Sequence, residues 1–288
     1  MASVDSSAAE TEPPTAFKEM TAEAVENYTQ AQIPVNNFPS AVTLRRQITF
    51  ECHDNDYFEI IDCAFVGLNV VFPDYINDRL IISMVESNDI RYFGMDYRPK
   101  YITGVNNNTV AVGCTRYVIQ IIDISNDTVV RTFPTSGECY GISCSEDTLY
   151  VDASNIVVMD LMGLVLRTFP KPGIDLGYLT VDGDRFFFCD GFTLFCCDLS
   201  GNVKWEFDKE GYKDIYGMAT DSKGNVYLAN ADSDRIVVIS PDGRLHKDIL
   251  TRFDSLESPI SLDFDKKENR LVVRTTANES AFIFDVAY

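Results

Sequence analysis

An all-β propeller of six blades is predicted over residues 43–288 by a repeat, by its turns and by a mismatch between its ends. The repeat is marked by a polar residue followed by three apolar ones. Its copies are Asn69-Val-Val-Phe72, Thr109-Val-Ala-Val112, Thr148-Leu-Tyr-Val151, Arg185-Phe-Phe-Phe188, Asn225-Val-Tyr-Leu228 and Arg270-Leu-Val-Val273. Successive copies start 40, 39, 37, 40 and 45 residues apart. The joining turns are rich in Gly, Asn and Asp, which tolerate the positive φ that tight hairpins need. At the ends, the sixth copy stops at Asp285 after three strands, while Thr43–Phe50 is a strand to spare ahead of the first. Pairing the two would close the ring and hide two sheet edges.

Each copy is expected to hold four short strands. One lies upstream of the marker, as in Tyr140-Gly-Ile-Ser143 and Tyr216-Gly-Met-Ala219. A third follows at Leu80–Ile82, Val118–Ile122, Ile156–Met159, Leu194–Cys197, Ile236–Ile239 and Ala281–Phe284. A fourth follows most of these. Val129-Val-Arg-Thr-Phe-Pro134 nearly repeats as Val165-Leu-Arg-Thr-Phe-Pro170 and loosely as Val203-Lys-Trp-Glu-Phe207. Four-stranded units of this length have the size of propeller blades, and one blade cannot cover both of its own faces.

Residues 1–42 read as a separate segment. Residues 1–14 are small, polar and acidic, a disordered composition. Phe17, Met20, Ala24 and Tyr28 fall near helical spacing, Pro14 can open such a helix and Ile33-Pro34 ends it.

The stretch from Tyr216 to Gly243 resembles an NHL repeat. The likeness is carried by Gly217, Asp221, Gly224-Asn225-Val-Tyr227, Ala229, Asp234-Arg235-Ile236 and Ser240-Pro-Asp-Gly243. With Arg45-Arg-Gln-Ile-Thr-Phe50 leading into the ring, the layout is similar to the C-terminal propellers of tripartite-motif-like proteins. That resemblance implies a scaffold module that binds protein, or in some NHL propellers RNA. Tripartite-motif ligases also carry zinc-bound RING and B-box modules, which need clustered Cys and His. Residues 1–51 contain neither, so ligase zinc chemistry is not expected of this chain.

Charge narrows the partner. Lys and Arg total 24 against 44 Asp and Glu, a formal net charge of −20. Such a chain repels RNA at long range unless its basic residues cluster. A protein with a basic surface is the expected partner. No run of 18 apolar residues and no signal peptide is present, so a cytoplasmic protein without a membrane span is expected. The four Asn-x-Ser/Thr sequons, at Asn27, Asn107, Asn126 and Asn278, would then stay unused. The eight cysteines sit mostly in apolar runs and read as buried thiols, not disulfides.

Catalytic patterns are sparse. His53 and His246 are the two histidines, and no triad spacing accompanies them. Gly141-Ile-Ser143-Cys-Ser145 narrowly misses the nucleophile elbow, because Ser145 replaces its final Gly. Cys196 and Cys197, adjacent in a strand, face opposite ways and cannot easily share a metal with Cys189. The Asp-rich turns Asp182-Gly-Asp184 and Asp232-Ser-Asp-Arg235 lack EF-hand spacing. No catalytic residue, metal or cofactor is expected. The alternative is a calcium-dependent lactonase of the gluconolactonase type, another six-bladed propeller, but its Asn-Asp-Gly and Pro-Asn-Gly contexts are missing.

By analogy with the fold, a ligand belongs on the face built from two loop sets: those entering each inner strand, and those joining second to third strands. The entering set includes Lys100-Tyr101, Cys139-Tyr140, Asp175, Ile215-Tyr216 and Pro259-Ile260. The second set includes Asp74-Tyr75, Arg116-Tyr117, Asp152, Asp190, Asp232 and Asp234. The candidate partner-binding residues are Tyr75, Lys100, Tyr101, Arg116, Tyr140, Asp190, Tyr216 and Asp232. Tyrosine supplies broad contact area at low entropy cost. Arg98, Lys100 and Arg116 make the one small basic cluster that can be placed there.

Overall fold

In a computed structural model the chain is described over residues 37–50, 57–173, 177–212, 214–276 and 280–288. The predicted N-terminal helix, Cys52, His53, Asp175 and the sequons at Asn27 and Asn278 lie at least partly outside these residues.

The strands follow the repeat. β1 is Ala41–Thr49. Blade 1 holds β2 (Ala64–Val66), β3 (Asn69–Asp74), β4 (Arg79–Met84) and β5 (Ile90–Gly94). Blade 2 holds β6 (Pro99–Gly104), β7 (Thr109–Cys114), β8 (Val118–Asp123) and β9 (Thr128–Pro134). Blade 3 holds β10 (Gly141–Ser145), β11 (Thr148–Asp152), β12 (Ile156–Asp160) and β13 (Val165–Phe169). Blade 4 holds β14 (Tyr178–Asp182), β15 (Arg185–Cys189), β16 (Leu194–Asp198) and β17 (Val203–Phe207). Blade 5 holds β18 (Ile215–Thr220), β19 (Val226–Asn230), β20 (Arg235–Ile239) and β21 (His246–Leu250). β22 (Pro259–Asp265), β23 (Arg270–Thr275) and β24 (Ser280–Ala287) complete the series.

The described strands form six four-stranded antiparallel sheets. Five are sequential meanders. The sixth runs β1-β24-β23-β22, so the first strand is the outer strand of the last blade, as the unmatched ends require. Ile48 of β1 sits opposite Ala281, and Arg46 opposite Ile283. Inner strands β2, β6, β10, β14, β18 and β22 contact one another in order around the axis, and β22 contacts β2.

Packing explains why the marker strands read as unbroken apolar runs. Side chains alternate faces along a strand, so burying both faces removes the usual polar alternation. On β19, Val226 and Leu228 join the core shared with blade 4, while Tyr227 and Ala229 join the core shared with blade 6. Cys196 and Cys197 divide the same way, one into the core with blade 5 and one into the core with blade 3. Six apolar clusters result, one at each blade interface, including Ile48, Phe50, Phe72, Ile81 and Ile283 at the seam between blades 6 and 1. The seven described cysteines are free thiols.

The turns are held by a recurring device. In Asp198-Leu-Ser-Gly-Asn202, Asp198 Oδ1 accepts from the Ser200 and Asn202 amides at 2.9 and 3.0 Å. Asp160 and Asp221 hold their turns likewise. Gly201 sits at φ +91, and a Cβ there would lie 2.7 Å from the Phe169 ring of blade 3. Conformation and close approach both call for glycine.

Asp221 does more than hold a turn. Its Oδ2 also accepts from Asn225 Nδ2 at 2.7 Å, Tyr227 Oη at 3.1 Å and Tyr288 Oη at 2.6 Å. Asn225 Nδ2 donates in addition to the Asn37 carbonyl, 3.0 Å away. The stretches flanking β1 and β24 are thereby tied to blade 5. At the seam, Arg45 pairs with Asp285 at 2.8 Å and Glu86 at 3.1 Å, and Arg270 reaches Glu86 at 3.0 Å.

Asp221→Ala should lose about 2–5 kcal/mol in denaturant unfolding, because the Asn225 amide and the Tyr227 and Tyr288 hydroxyls lose their shared acceptor. Tyr288→Phe should cost about 1 kcal/mol. Removing residues 1–50 should expose the β24 edge and produce aggregation or a large fall in Tm. A monomeric deletion of unchanged Tm would refute closure through β1.

Candidate functional site

Four tyrosines converge at one end of the central axis. Tyr101 lies on β6, Tyr178 opens β14, Tyr140 immediately precedes β10, and Tyr216 lies in β18. The Tyr101 and Tyr178 rings are 6.2 Å apart at 75°, and those of Tyr178 and Tyr216 are 6.4 Å apart at 73°. With Phe192, Asp190 and Asp214 they line a cavity of about 270 Å³. Asp190 and Phe192 come from the β15–β16 loop, and the other side chains come from entry segments. One loop of the second set named from the sequence, that of Asp190, thus meets entry segments of the first set at this cavity.

Local structure places these groups. Pairing jumps from Ile215↔Asn230 to Gly217↔Ala229, which makes Tyr216 the extra residue of a bulge. Bulges re-aim a side chain, and Tyr216 is 42% exposed within an otherwise buried strand. Lys100 occupies the equivalent bulge in β6. Gly177 lets the entry segment pass close to blade 4: a Cβ there would lie 2.4 Å from the Phe188 ring. Asp190 Oδ1 accepts from the Phe192 and Thr193 amides at 3.1 and 2.9 Å, which fixes the loop tip. Burial, the main cause, raises the pKa of Tyr101, Tyr178 and Tyr140, so these phenols stay neutral.

The other predicted residues divide. Tyr75 is not free surface. Arg98 lies over its ring at 5.4 Å and Lys100 at 5.6 Å. Arg98 pairs with Asp78 at 3.2 Å, and Lys100 pairs with Glu138, which also accepts from Tyr140 Oη at 3.3 Å. Arg116 and Asp232 are exposed on their loops and do not line the cavity. Asp74 and Asp152 are buried and paired with Arg79 and Lys171, at 2.9 and 2.8 Å. Asp152 also accepts from the Gly177 amide at 3.0 Å, so these two carboxylates shape the loops. Tyr178, Phe192 and Asp214 were not singled out from the sequence. Tyr178 was legible as the counterpart of Tyr140 and Tyr216 at the head of its blade.

Behind the tyrosines runs the channel, with a cavity volume of about 820 Å³; Tyr101 and Tyr178 line both spaces. Its polar side chains serve the ring. Asp62 Oδ2 accepts from the Ile102 amide of blade 2 at 2.8 Å. Thr103 accepts from the Cys144 amide of blade 3 at 3.2 Å, and Ser143 from the Val181 amide of blade 4 at 3.1 Å. Asp263 accepts from the Phe65 amide of blade 1 at 2.7 Å. These four amides would otherwise lack these partners, and a buried unpaired amide costs about 1–3 kcal/mol. Ser143 is thus an acceptor between blades within β10. Among the described residues no group of three His, Cys, Asp or Glu side chains is arranged to hold a metal. Nor is any helix long and apolar enough to cross a membrane; one short 3₁₀ turn, Arg252–Asp254, is the helical element seen there.

Asp62 also accepts from the Cys63 amide at 2.9 Å and Ser261 Oγ at 2.8 Å. It lines the channel and is partly buried, and the burial of its carboxyl pushes the pKa up to about 7. His246 lies apart, in ring contact with Phe207 and Tyr212 at 5.3 Å, with its pKa lowered chiefly by burial.

Comparison with protein-family models and with curated proteins finds no match for this chain.

Because the folded Asp62 holds its proton up to about pH 7 and an unfolded aspartate releases it near pH 4, the native state binds more protons between those values. This group's contribution to stability is fully present below about pH 4 and is lost as pH rises through about 7. Denaturant unfolding from pH 4 to pH 8 should show that decline, and Asp62→Asn should flatten it. Parallel pH profiles for the two proteins would refute the assignment.

Proposed function

We propose that the chain is an NHL-type propeller that acts as a non-catalytic protein-binding module, with its ligand on the tyrosine-lined loop face. The observation that carries this reading is the convergence of Tyr101, Tyr140, Tyr178 and Tyr216 around one cavity. Large, rigid aromatics with a polar tip are what protein-contact surfaces use. The NHL likeness is supported by the work its residues do in blade 5. Asp221 organises its turn, Gly224 adopts φ +77, and Ser240 accepts from the Leu245 amide at 2.9 Å.

Two other readings gain less support. A lactonase needs channel carboxylates free for a cation and substrate, whereas Asp62 and Asp263 accept backbone amides across blade boundaries. An RNA-binding face needs uncompensated cations, whereas Arg98 and Lys100 are ion-paired and laid on Tyr75. The net charge of −20 favours a partner with a basic surface.

The test is affinity purification from the native cell with and without nuclease, followed by binding kinetics with the recovered protein. Replacing Tyr140 and Tyr216 together should weaken binding by about 1–4 kcal/mol at every salt concentration. Replacing Asp190 and Asp232 should slow association, mainly below roughly 0.15 M salt, where screening is weak. If the tyrosine pair changes nothing while Arg98, Lys100 and Arg116 control affinity for RNA, the RNA reading replaces this one.

A further inference from the structure

We infer that the tyrosine-lined cavity is a cage for one cationic side chain, a lysine ammonium or an arginine guanidinium presented by a bound polypeptide. The inference rests on the protein-binding reading and names what that surface grips.

The walls have the required shape. Tyr178 meets Tyr101 at 75° and Tyr216 at 73°, so three rings make two corners of a box. Tyr140 and Phe192 add further aromatic surface, and Phe192 is 48% exposed at the mouth. Ring faces carry the negative part of the aromatic quadrupole and attract a cation within about 6 Å. The same face already shows this chemistry inside the molecule. Lys171 lies over Tyr140 at 5.7 Å, beside its ion-pair partner Asp152, and Arg98 and Lys100 lie over Tyr75.

The charge has the required sign. Asp190 and Asp214 line the cavity, and among the described residues no Lys, Arg or His does. Among the described residues neither carboxylate is in an ion pair. Asp190 Oδ1 is held by its own loop amides, while Oδ2 accepts no hydrogen bond from a described residue. The nearby cations, Lys100 and Lys171, are each matched by a carboxylate, Glu138 and Asp152. An anionic ligand would meet two carboxylates that no described cation pairs with, and a purely aliphatic one would leave them unanswered.

The size has the required scale. About 270 Å³ lies below the roughly 300–1,000 Å³ of small-molecule pockets, and suits one side chain entering from a chain lying across the face.

The test uses the full chain and three blocked amino acids: Nα-acetyl-lysine amide, Nα-acetyl-arginine amide and neutral Nα-acetyl-norleucine amide. Binding is followed through the tyrosine ring resonances. At least one cation should bind about 2- to 30-fold more tightly than norleucine. Tyr216→Leu, at an exposed position, should remove that preference without altering Tm, and Asp190→Asn with Asp214→Asn should reduce it. Norleucine binding as tightly as both cations, or no shift with any probe at tens of millimolar, overturns the cage. So does a cation preference that survives Tyr216→Leu. A recovered partner that needs Tyr140 and Tyr216 while the probes show no preference would sink the cage and leave the protein-binding reading standing. A preference for cations with no protein partner would do the reverse.

Discussion

Each sheet in this molecule is apolar on both faces, and that constraint organises everything else. A blade such as β14–β17 sends Phe186 and Phe188 one way and Phe187 and Cys189 the other. Neither set can face water, and burying a large apolar side chain is worth about 1.5–3 kcal/mol. Only two flanking blades satisfy both, and only a closed ring gives every blade two flanks. The β1–β24 pairing, the Ile48–Phe72–Ile283 core and the Arg45–Asp285–Glu86–Arg270 cluster are what closure looks like at the seam.

Closure also dictates the chemistry of the axis. Bringing the inner strands together leaves edge amides of β2, β6, β10 and β14 to be met by side chains of neighbouring blades. Asp62, Thr103, Ser143 and Asp263 take up that role from one blade to the next. Two carboxylates that line the channel, Asp62 and Asp263, are thus acceptors between blades. On the loop face the ring holds tyrosines from four blades around one cavity.

Charge is sorted on that face. Three described basic side chains near the tyrosines are matched locally: Arg98 by Asp78, Lys100 by Glu138 and Lys171 by Asp152. Among the described residues, Asp190 and Asp214 of the cavity lining are in no ion pair, and the chain as a whole is acidic. Aromatic side chains and two carboxylates line the same cavity.

Local sequence determined the strands, the blade count and the exchanged closing strand, because turn residues and apolar runs are written in short-range order. It also determined that Cys196 and Cys197 part company, since a strand has period two. It identified Tyr101, Tyr140, Asp190 and Tyr216 as residues of one face. It could not tell that Tyr75 is covered by Arg98 and Lys100, or that Arg116 and Asp232 stand outside the cavity. Nor did it mark Tyr178, Phe192 and Asp214 as members, or Asp62 as a link between three blades. Those facts depend on where neighbouring blades meet, on the extra residue that turns Tyr216 outward, and on which backbone amides closure leaves unpaired. They arise between segments distant in the chain, so only the closed tertiary structure decides them.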